Sequence, residues 1–457
     1  MTYEQFLESK KHSSSNYGIT PINILDSMFD YQRYTSEYLI KKGRAACFLD
    51  TGLGKTIIEL IVAQNYAQST NKPVLIITPL AVAFQFLKEA EKFGIDDIEY
   101  SKHGKYSKKI VVSNYERLHY FDHSDFDCVI LDESSILKNF DGAIKNEITS
   151  FLKKIKYRFL FTATPSPNDF VELGTSSEAL GYLGYTDMLT RFFTNNEDTI
   201  SPMNIGTEWI LKGHAKENFF KWVSGWSISM RKPSDLGFDD TMHILPELIV
   251  NNHSVKNEKN LCVNGQIQLF NQVAKRLTEI RDENKSTIEN RCIKAYELAS
   301  QHDMSVYWCN LNNEGDLLQK MDKDSYQIKG SMDIDKKEEL LLGFFNGDIK
   351  KLITKPKMTA FGLNWQHCNH TVYFPTFSYE QYYQSIRRFW RFGQKREVIV
   401  DLVYSDGQKR VIDSLIAKTE KANDLFNKLN INLNKSYDIK TKEFDKKIIL
   451  PTFLKTA

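Results

Sequence analysis

Short β-rich apolar runs alternate with longer amphipathic stretches through most of this chain, and they do so in two separate series. The first holds Ala46–Leu49, Val74–Ile77, Ile110–Val112, Val129–Leu131 and Phe159–Phe161; the second holds Ser305–Cys309, Lys351–Thr354, Thr371–Phe374 and Val398–Val403. Parallel strands need crossover connections, and the crossover helices cover both faces of the sheet. The pattern predicts an α/β protein with two parallel-sheet lobes in tandem, at 21–170 and 259–430. Between them, at 171–258, Gly174, Gly181, Gly184, Gly206, Gly213, Gly225 and Gly237 punctuate aromatic-rich pieces such as Glu217–Trp226. That stretch reads as a helical insertion and linker. Residues 1–20 read as an N-terminal extension. Val411, Leu415, Ala422, Leu425 and Leu429 fall roughly on one face of a helix over 408–430, ahead of a charged tail at 431–457.

Asp50-Thr51-Gly52-Leu53-Gly54-Lys55-Thr56 stands between the run Ala46–Leu49 and a helix starting near Ile57. Strand, glycine-bearing loop and helix is the context a phosphate-binding loop requires. Glycines let backbone N–H groups approach phosphate, and the helix N-terminus adds partial positive charge. Thr51, Gly52, Leu53, Gly54, Lys55 and Thr56 are therefore the expected ATP cradle. Lys55 would reach the β/γ-phosphates, and the Thr56 hydroxyl would ligate Mg²⁺. The formal pattern has glycine where this chain has Leu49. A second acidic site narrows the chemistry: Val129–Leu131 leads into Asp132-Glu133-Ser134-Ser135. Carboxylates at the carboxyl end of a buried strand sit where α/β sheets bind ligands. Asp132 suits Mg²⁺, and Glu133 suits activation of the attacking water.

The order of these motifs resembles superfamily-two helicases, and within them the Swi/Snf-type branch. The resemblance runs from about Asp30 to about Tyr404. It implies RecA-like lobes, ATP and Mg²⁺ as cofactors, and DNA as partner. Gln32, in Tyr31-Gln32, lies where the family's adenine-reading glutamine lies. Thr78-Pro79-Leu80 and Ser113-Asn114-Tyr115-Glu116 resemble two DNA-backbone motifs; Lys138-Asn139 follows the acidic box as in Swi/Snf members. Thr162-Ala163-Thr164-Pro165-Ser166-Pro167-Asn168 matches the motif coupling ATP to nucleic acid. In the second lobe, Gly362-Leu363-Asn364 resembles the fifth motif, with Thr359 and Ala360 in place of two usual glycines. Gln384 to Gln394 reads as the sixth, Gln-x-x-x-Arg-x-x-Arg-x-Gly-Gln, with Arg387 for an acidic residue and Trp390 for a histidine. Gln384 is expected at the nucleotide. Arg388 and Arg391, one helical turn apart, are expected to meet the γ-phosphate charge, so that hydrolysis needs the lobes closed. Thr78, Asn114, Lys138, Lys357 and Asn364 are the expected nucleic-acid contacts. Longer strings, Pro167–Gly174, Arg231–Gly237 and Gly362–Cys368, resemble a compact subgroup found in phages and prophages, which implies a mobile-element origin.

Composition sets the remaining bounds. The chain has 457 residues and a net charge of only +2, so a basic nucleic-acid surface must be local if present. No apolar run approaches the ~20 residues of a membrane span, and Met-Thr-Tyr-Glu-Gln-Phe lacks a secretory pattern. The six cysteines form no CxxC pair, which favours reduced thiols in the cytoplasm over disulfides or zinc. No membrane partner is expected. Three functions stay open: a double-stranded-DNA translocase, a strand-separating helicase, and an ATP-gated DNA-loading factor that recruits phage or host replication, recombination or nuclease proteins.

Overall fold

A computed structural model describes residues 17–79, 82–138, 142–167, 169–195, 209–256, 262–263, 266–267, 283–359 and 364–436. The chain divides into two compact units, residues 1–243 with 421–457, and residues 244–420.

In the first unit the strands are Arg44–Leu49 (β1), Val74–Thr78 (β2), Ile98–Tyr100 (β3), Ile110–Asn114 (β4), Cys128–Leu131 (β5), Tyr157–Phe161 (β6), Phe193–Asn195 (β7), Trp209–Leu211 (β8) and Ser227–Met230 (β9). β7 and β8 form a small antiparallel pair. The other strands build one sheet in the order β3-β4-β2-β5-β6-β1-β9, with every pairing parallel. Strands β1, β2, β4, β5 and β6 are buried over nearly their whole length, as strands covered by helices on both faces must be. Phe48, Leu75, Ile77, Val129 and Leu160 share one core cluster with Phe219, Phe220 and Trp226. Leu425, Phe426 and Leu429 of the C-terminal helix Lys409–Ser436 join the same cluster. The helix Asp30–Lys42 ends where Gly43 takes φ +74° and its N–H bonds the Leu39 carbonyl, a left-handed cap that only glycine adopts cheaply.

The second unit holds Leu248–Val255 (β10), Cys262–Val263 (β11), Gln266–Ile267 (β12), Ser305–Trp308 (β13), Ser325–Gln327 (β14), Lys351–Thr354 (β15), His370–Tyr373 (β16) and Val398–Ser405 (β17). β11 and β12 pair antiparallel. The main sheet runs β10-β17-β16-β13-β15-β14, again all parallel. One cluster includes Trp308, Phe344, Trp365 and Phe389; another includes Cys292, Tyr307, Ile353 and Phe374.

The range 171–258 thus contains the helices Leu173–Leu180, Tyr185–Phe192 and Lys216–Ser224, strand β9 of the first sheet and strand β10 of the second. Aromatic residues of Lys216–Ser224 pack into the first core rather than standing free: Phe219 and Phe220 are buried, with rings 5.3 Å apart. Cys47, Cys128, Cys292, Cys309 and Cys368 are free and buried. Among the described residues no helix is long and apolar enough to cross a membrane. Residues 1–16 of the extension, 437–457 of the tail, Asn139, Asn168, Gly362 and Leu363 lie outside the described residues.

Candidate nucleotide site

The C-terminal ends of β1, β2, β4, β5 and β6 point to one edge of the first sheet, and the candidate residues follow them directly. After β1 comes the phosphate loop, with Gly52 at φ +89° and Gly54 at φ +76°. Gly54 is the N-cap of the helix Lys55–Thr70. A Cβ on Gly54 would lie 2.2 Å from Gln32 Nε2, so this glycine is required by close approach as well as by φ. Lys55 Nζ donates to the carbonyls of Leu49 and Asp50 at 3.0 and 3.3 Å, which folds the ammonium over its own loop. The Thr51 N–H donates to Asp50 Oδ1 at 2.6 Å.

Gln32 braces this loop. Its Nε2 donates to the Leu53 carbonyl at 3.2 Å, and its Oε1 accepts from the Phe29 N–H at 3.1 Å. The Tyr31 hydroxyl donates to the same carbonyl at 3.2 Å. The glutamine expected to read adenine is therefore engaged with the loop that would carry the phosphates. His243 closes the corner from far along the chain, its Nε2 2.9 Å from the Tyr31 hydroxyl and its ring edge-on to Phe29 and Tyr31, at 5.1 Å from each.

After β5, Asp132 Oδ2 accepts from the Thr78 hydroxyl at 2.9 Å, and the Asp132 carbonyl accepts from the Tyr115 hydroxyl at 2.5 Å. Glu133 holds φ +50°, a left-handed conformation that costs a non-glycine residue roughly 1–3 kcal/mol and concentrates at functional sites. The Thr162 hydroxyl lies 3.4 Å from Glu133 Oε2 and accepts from the Thr164 N–H at 3.0 Å, tying the turn after β6 to this carboxylate. Burial and then the Glu133 charge push the Asp132 carboxyl well above the usual carboxylate range. Glu59, in the helix behind the loop, is pushed up by burial and by Asp132. The Lys55 charge acts the other way on both Asp132 and Glu59, favouring their ionised forms. Among the described residues no group of three or more His, Cys, Asp or Glu is arranged to hold a metal by itself. Mg²⁺ takes one or two protein oxygens and completes its shell with phosphate and water; Thr56 and Asp132 are the candidates to hold it.

Thr78 and Asn114 are completely buried. Thr78 is bonded to Asp132, and Asn114 Nδ2 donates to the Thr78 carbonyl at 3.3 Å. Their side chains serve the interior of the sheet edge, because both end buried parallel strands that pair Thr78 with Asn114. Lys138 closes a short 3-10 turn after the acidic pair.

The second unit carries the remaining candidates. The helix Tyr379–Ile386 ends before the arginines, so Arg388 and Arg391 lie in the turns that follow and not on a continuing helical face. Gln394 ties these turns down: its Nε2 donates to the carbonyls of Gln366 and Cys368 at 2.9 and 3.2 Å. Arg387 and Arg388 are buried. The Arg387 guanidinium lies over the rings of Trp390 and Tyr383, at 4.8 and 5.7 Å. Trp390 Nε1 in turn donates to the Pro246 carbonyl at 2.7 Å. The two departures from the sixth motif thus pack against each other. Gln384 is buried, and its Nε2 has no hydrogen-bond partner among the described residues. Asn364 is half-buried and Lys357 exposed.

A P-loop beside an Asp-Glu pair on a parallel sheet defines a nucleotide-binding lobe, with a second parallel-sheet lobe in tandem. Residues 26–167 match the family described as type III restriction enzyme, res subunit. Over 168 residues the chain is 25% identical to a SWI/SNF-related matrix-associated actin-dependent regulator of chromatin subfamily A-like protein 1 from Xenopus laevis, covering 34% of this chain and 17% of that protein. The Xenopus tropicalis counterpart is 25% identical over 165 residues, with the same 34% and 17% coverage. The chain therefore spans about a sixth of the length of these relatives. The Sulfolobus solfataricus SWI2/SNF2 ATPase core in complex with dsDNA superposes with a TM-score of 0.42 at 18% identity, over 94% of this chain and 99% of that one. The fold rests on strand order. The sequence matches support a superfamily-two helicase-like ATPase of the Swi/Snf type.

One consequence of the corner around Tyr31 is measurable. Burial pushes the His243 imidazole down to about 4, against ~6.5 in an unfolded chain. Below pH ~6.5 the unfolded state takes up a proton that the folded state refuses, so stability falls from there down to about pH 4. His243→Gln should flatten urea-midpoint profiles in that window. The change should stay well under the ~1.4 kcal/mol per pH unit of one full proton, since the ring is partly screened by solvent. An unchanged profile would show that the ring is not buried neutral.

Proposed function

We propose that this chain is an ATP-driven motor that moves on DNA, using duplex DNA as track. The observation that carries the reading is the convergence at one sheet edge of Lys55, Asp132, Glu133 and the Thr162 turn. In the proposed reaction Lys55 neutralises the β/γ-phosphates, while Thr56 and Asp132 hold Mg²⁺. That ion would polarise the phosphate oxygens when bound. Glu133 accepts a proton as water attacks the γ-phosphorus; the bond to the bridging oxygen breaks, releasing ADP and phosphate. Arg388 and Arg391 supply positive charge to the γ-phosphate during turnover. Two ATPase lobes belong to the same proposal; the limits expected at 21–170 and 259–430 shift, since β9 belongs to the first sheet, β10 to the second, and residues 421–430 to the first unit. A cytoplasmic location and a replication, recombination or nuclease partner belong to it too, as does a phage or prophage origin, for which the strings Pro167–Gly174, Arg231–Gly237 and Gly362–Cys368 speak.

ATPase rates measured in parallel without nucleic acid and with single-stranded DNA, duplex DNA and RNA test the reading. Duplex DNA should stimulate at least several-fold. The stimulation should weaken steeply with salt, because phosphate contacts release counterions. A rate indifferent to DNA at low salt would overturn the motor and favour the ATP-gated loading factor.

A further inference from the structure

Beyond the nucleotide residues, the same sheet edge continues outward to the edge strand β3. Phe84, in the first turn of the helix Ala83–Lys92, is 49% exposed although it is a large aromatic. Its ring lies 5.4 Å from that of Tyr100, the last residue of β3. Two cations flank Tyr100: Arg117 Cζ lies 5.7 Å from the ring centroid, and Lys102 Nζ lies 6.0 Å from it. Lys102 is exposed and Arg117 half-buried. Cations beside exposed aromatic rings suit a nucleic-acid backbone, since the cations hold phosphates and the rings pack against the sugars. In a chain with a net charge of only +2, such a local cluster carries more weight than overall charge does.

This patch is wired inward. Arg117 Nη1 donates to the Tyr100 hydroxyl at 2.9 Å, and that hydroxyl donates to Asn114 Oδ1 at 2.5 Å. Asn114 Nδ2 donates to the Thr78 carbonyl at 3.3 Å, and the Thr78 hydroxyl donates to Asp132 Oδ2 at 2.9 Å. Each link joins neighbours across β3, β4, β2 and β5, so the path follows the sheet edge strand by strand. Asn114 and Thr78 are completely buried and serve only as links.

We infer that Phe84, Lys102 and Arg117 form a nucleic-acid contact whose occupancy is relayed to Asp132 through Tyr100, Asn114 and Thr78. The inference rests on the reading of the chain as a DNA motor. A phosphate that engages Arg117 draws the guanidinium from Tyr100. The phenol then loses its donor, and the polarisation that it passes to Asn114 changes along the chain. Asn114 holds the Thr78 carbonyl and the Thr78 hydroxyl holds Asp132, so a shift of Asn114 reaches that carboxylate through the position of Thr78. Tyr100 and Asn114 are positioning residues in this scheme, and the contact itself is made by Phe84, Lys102 and Arg117.

The test uses the full chain, a labelled duplex oligonucleotide read by fluorescence anisotropy at low salt, and ATPase titrated with the same DNA. Phe84→Ala and Arg117→Ala should each raise the DNA Kd on the order of tenfold, the size of one backbone contact. Tyr100→Phe keeps the ring and removes only the hydroxyl link. Its Kd should stay within about twofold while DNA stimulation of ATPase falls several-fold, because Asn114 loses the hydroxyl that holds its Oδ1. A purely packing role for Tyr100 would leave stimulation intact. Wild-type DNA affinity in both alanine variants, or full stimulation in Tyr100→Phe, would overturn the inference while the motor reading stands. Absence of DNA binding by the unaltered protein would overturn both.

Discussion

Lys55→Ala and Glu133→Gln should each reduce steady-state ATP turnover to background, a loss on the order of 10³-fold or more if both act on the transferring phosphoryl group. The two variants should differ in binding. Lys55 sits on the carbonyls of Leu49 and Asp50, poised above the phosphate cradle, so its removal takes away the cation that opposes the γ-phosphate. Nucleotide affinity should fall with it. Glu133 lies across the edge, in a left-handed conformation, with Thr162 beside its carboxylate. Glutamine keeps that shape and removes the base, so Glu133→Gln should bind ATP and fail to hydrolyse it. Phosphate release together with binding of a fluorescent ATP analogue checks both. Retained turnover in either variant would remove that residue from the chemistry.

Much of this site was legible in the sequence because its motifs are local. Strand, loop and helix at 46–57 are contiguous, and so are the run Cys128–Leu131 and its two carboxylates. Buried parallel strands write themselves as apolar runs, and the runs at 46–49, 74–77, 110–112, 129–131 and 159–161 all fall within strands of one sheet. What was not legible is what the fold brings from elsewhere. Ser227–Met230 joins β1 with two serines in a four-residue strand, too polar to stand out as a buried run. His243 reaches Tyr31 from 212 residues away, with no local motif to announce it. Thr78 and Asn114 carried the right motifs with the wrong exposure: spacing identifies the end of a strand but does not say whether the last side chain faces solvent or its neighbour. The arginine spacing suggested a continuing helix, yet the helix stops at Ile386 and burial of Phe389 helps to shape the turns after it.

Those turns carry the second large effect. Arg391→Ala should lower kcat by roughly 10³-fold, in the range of a lost arginine finger, while ATP affinity stays within several-fold because the P-loop unit holds most of the nucleotide. Guanidinium suits the role because it stays charged and presents forked donors to phosphate oxygens. Arg391 is half-buried, whereas Arg387 is buried beneath Trp390 and Tyr383. Arg387→Ala should therefore act on folding: losing a buried cation–π contact costs about 1–2 kcal/mol of stability, with kcat near wild type once the protein is folded. DNA binding without ATP should persist in Arg391→Ala. Single-turnover hydrolysis, nucleotide titration and denaturant midpoints on the two variants separate the roles. If Arg387→Ala slowed the chemical step as much as Arg391→Ala, the purely packing role of Arg387 would fall, and with it the register that reserves the chemistry for Arg388 and Arg391.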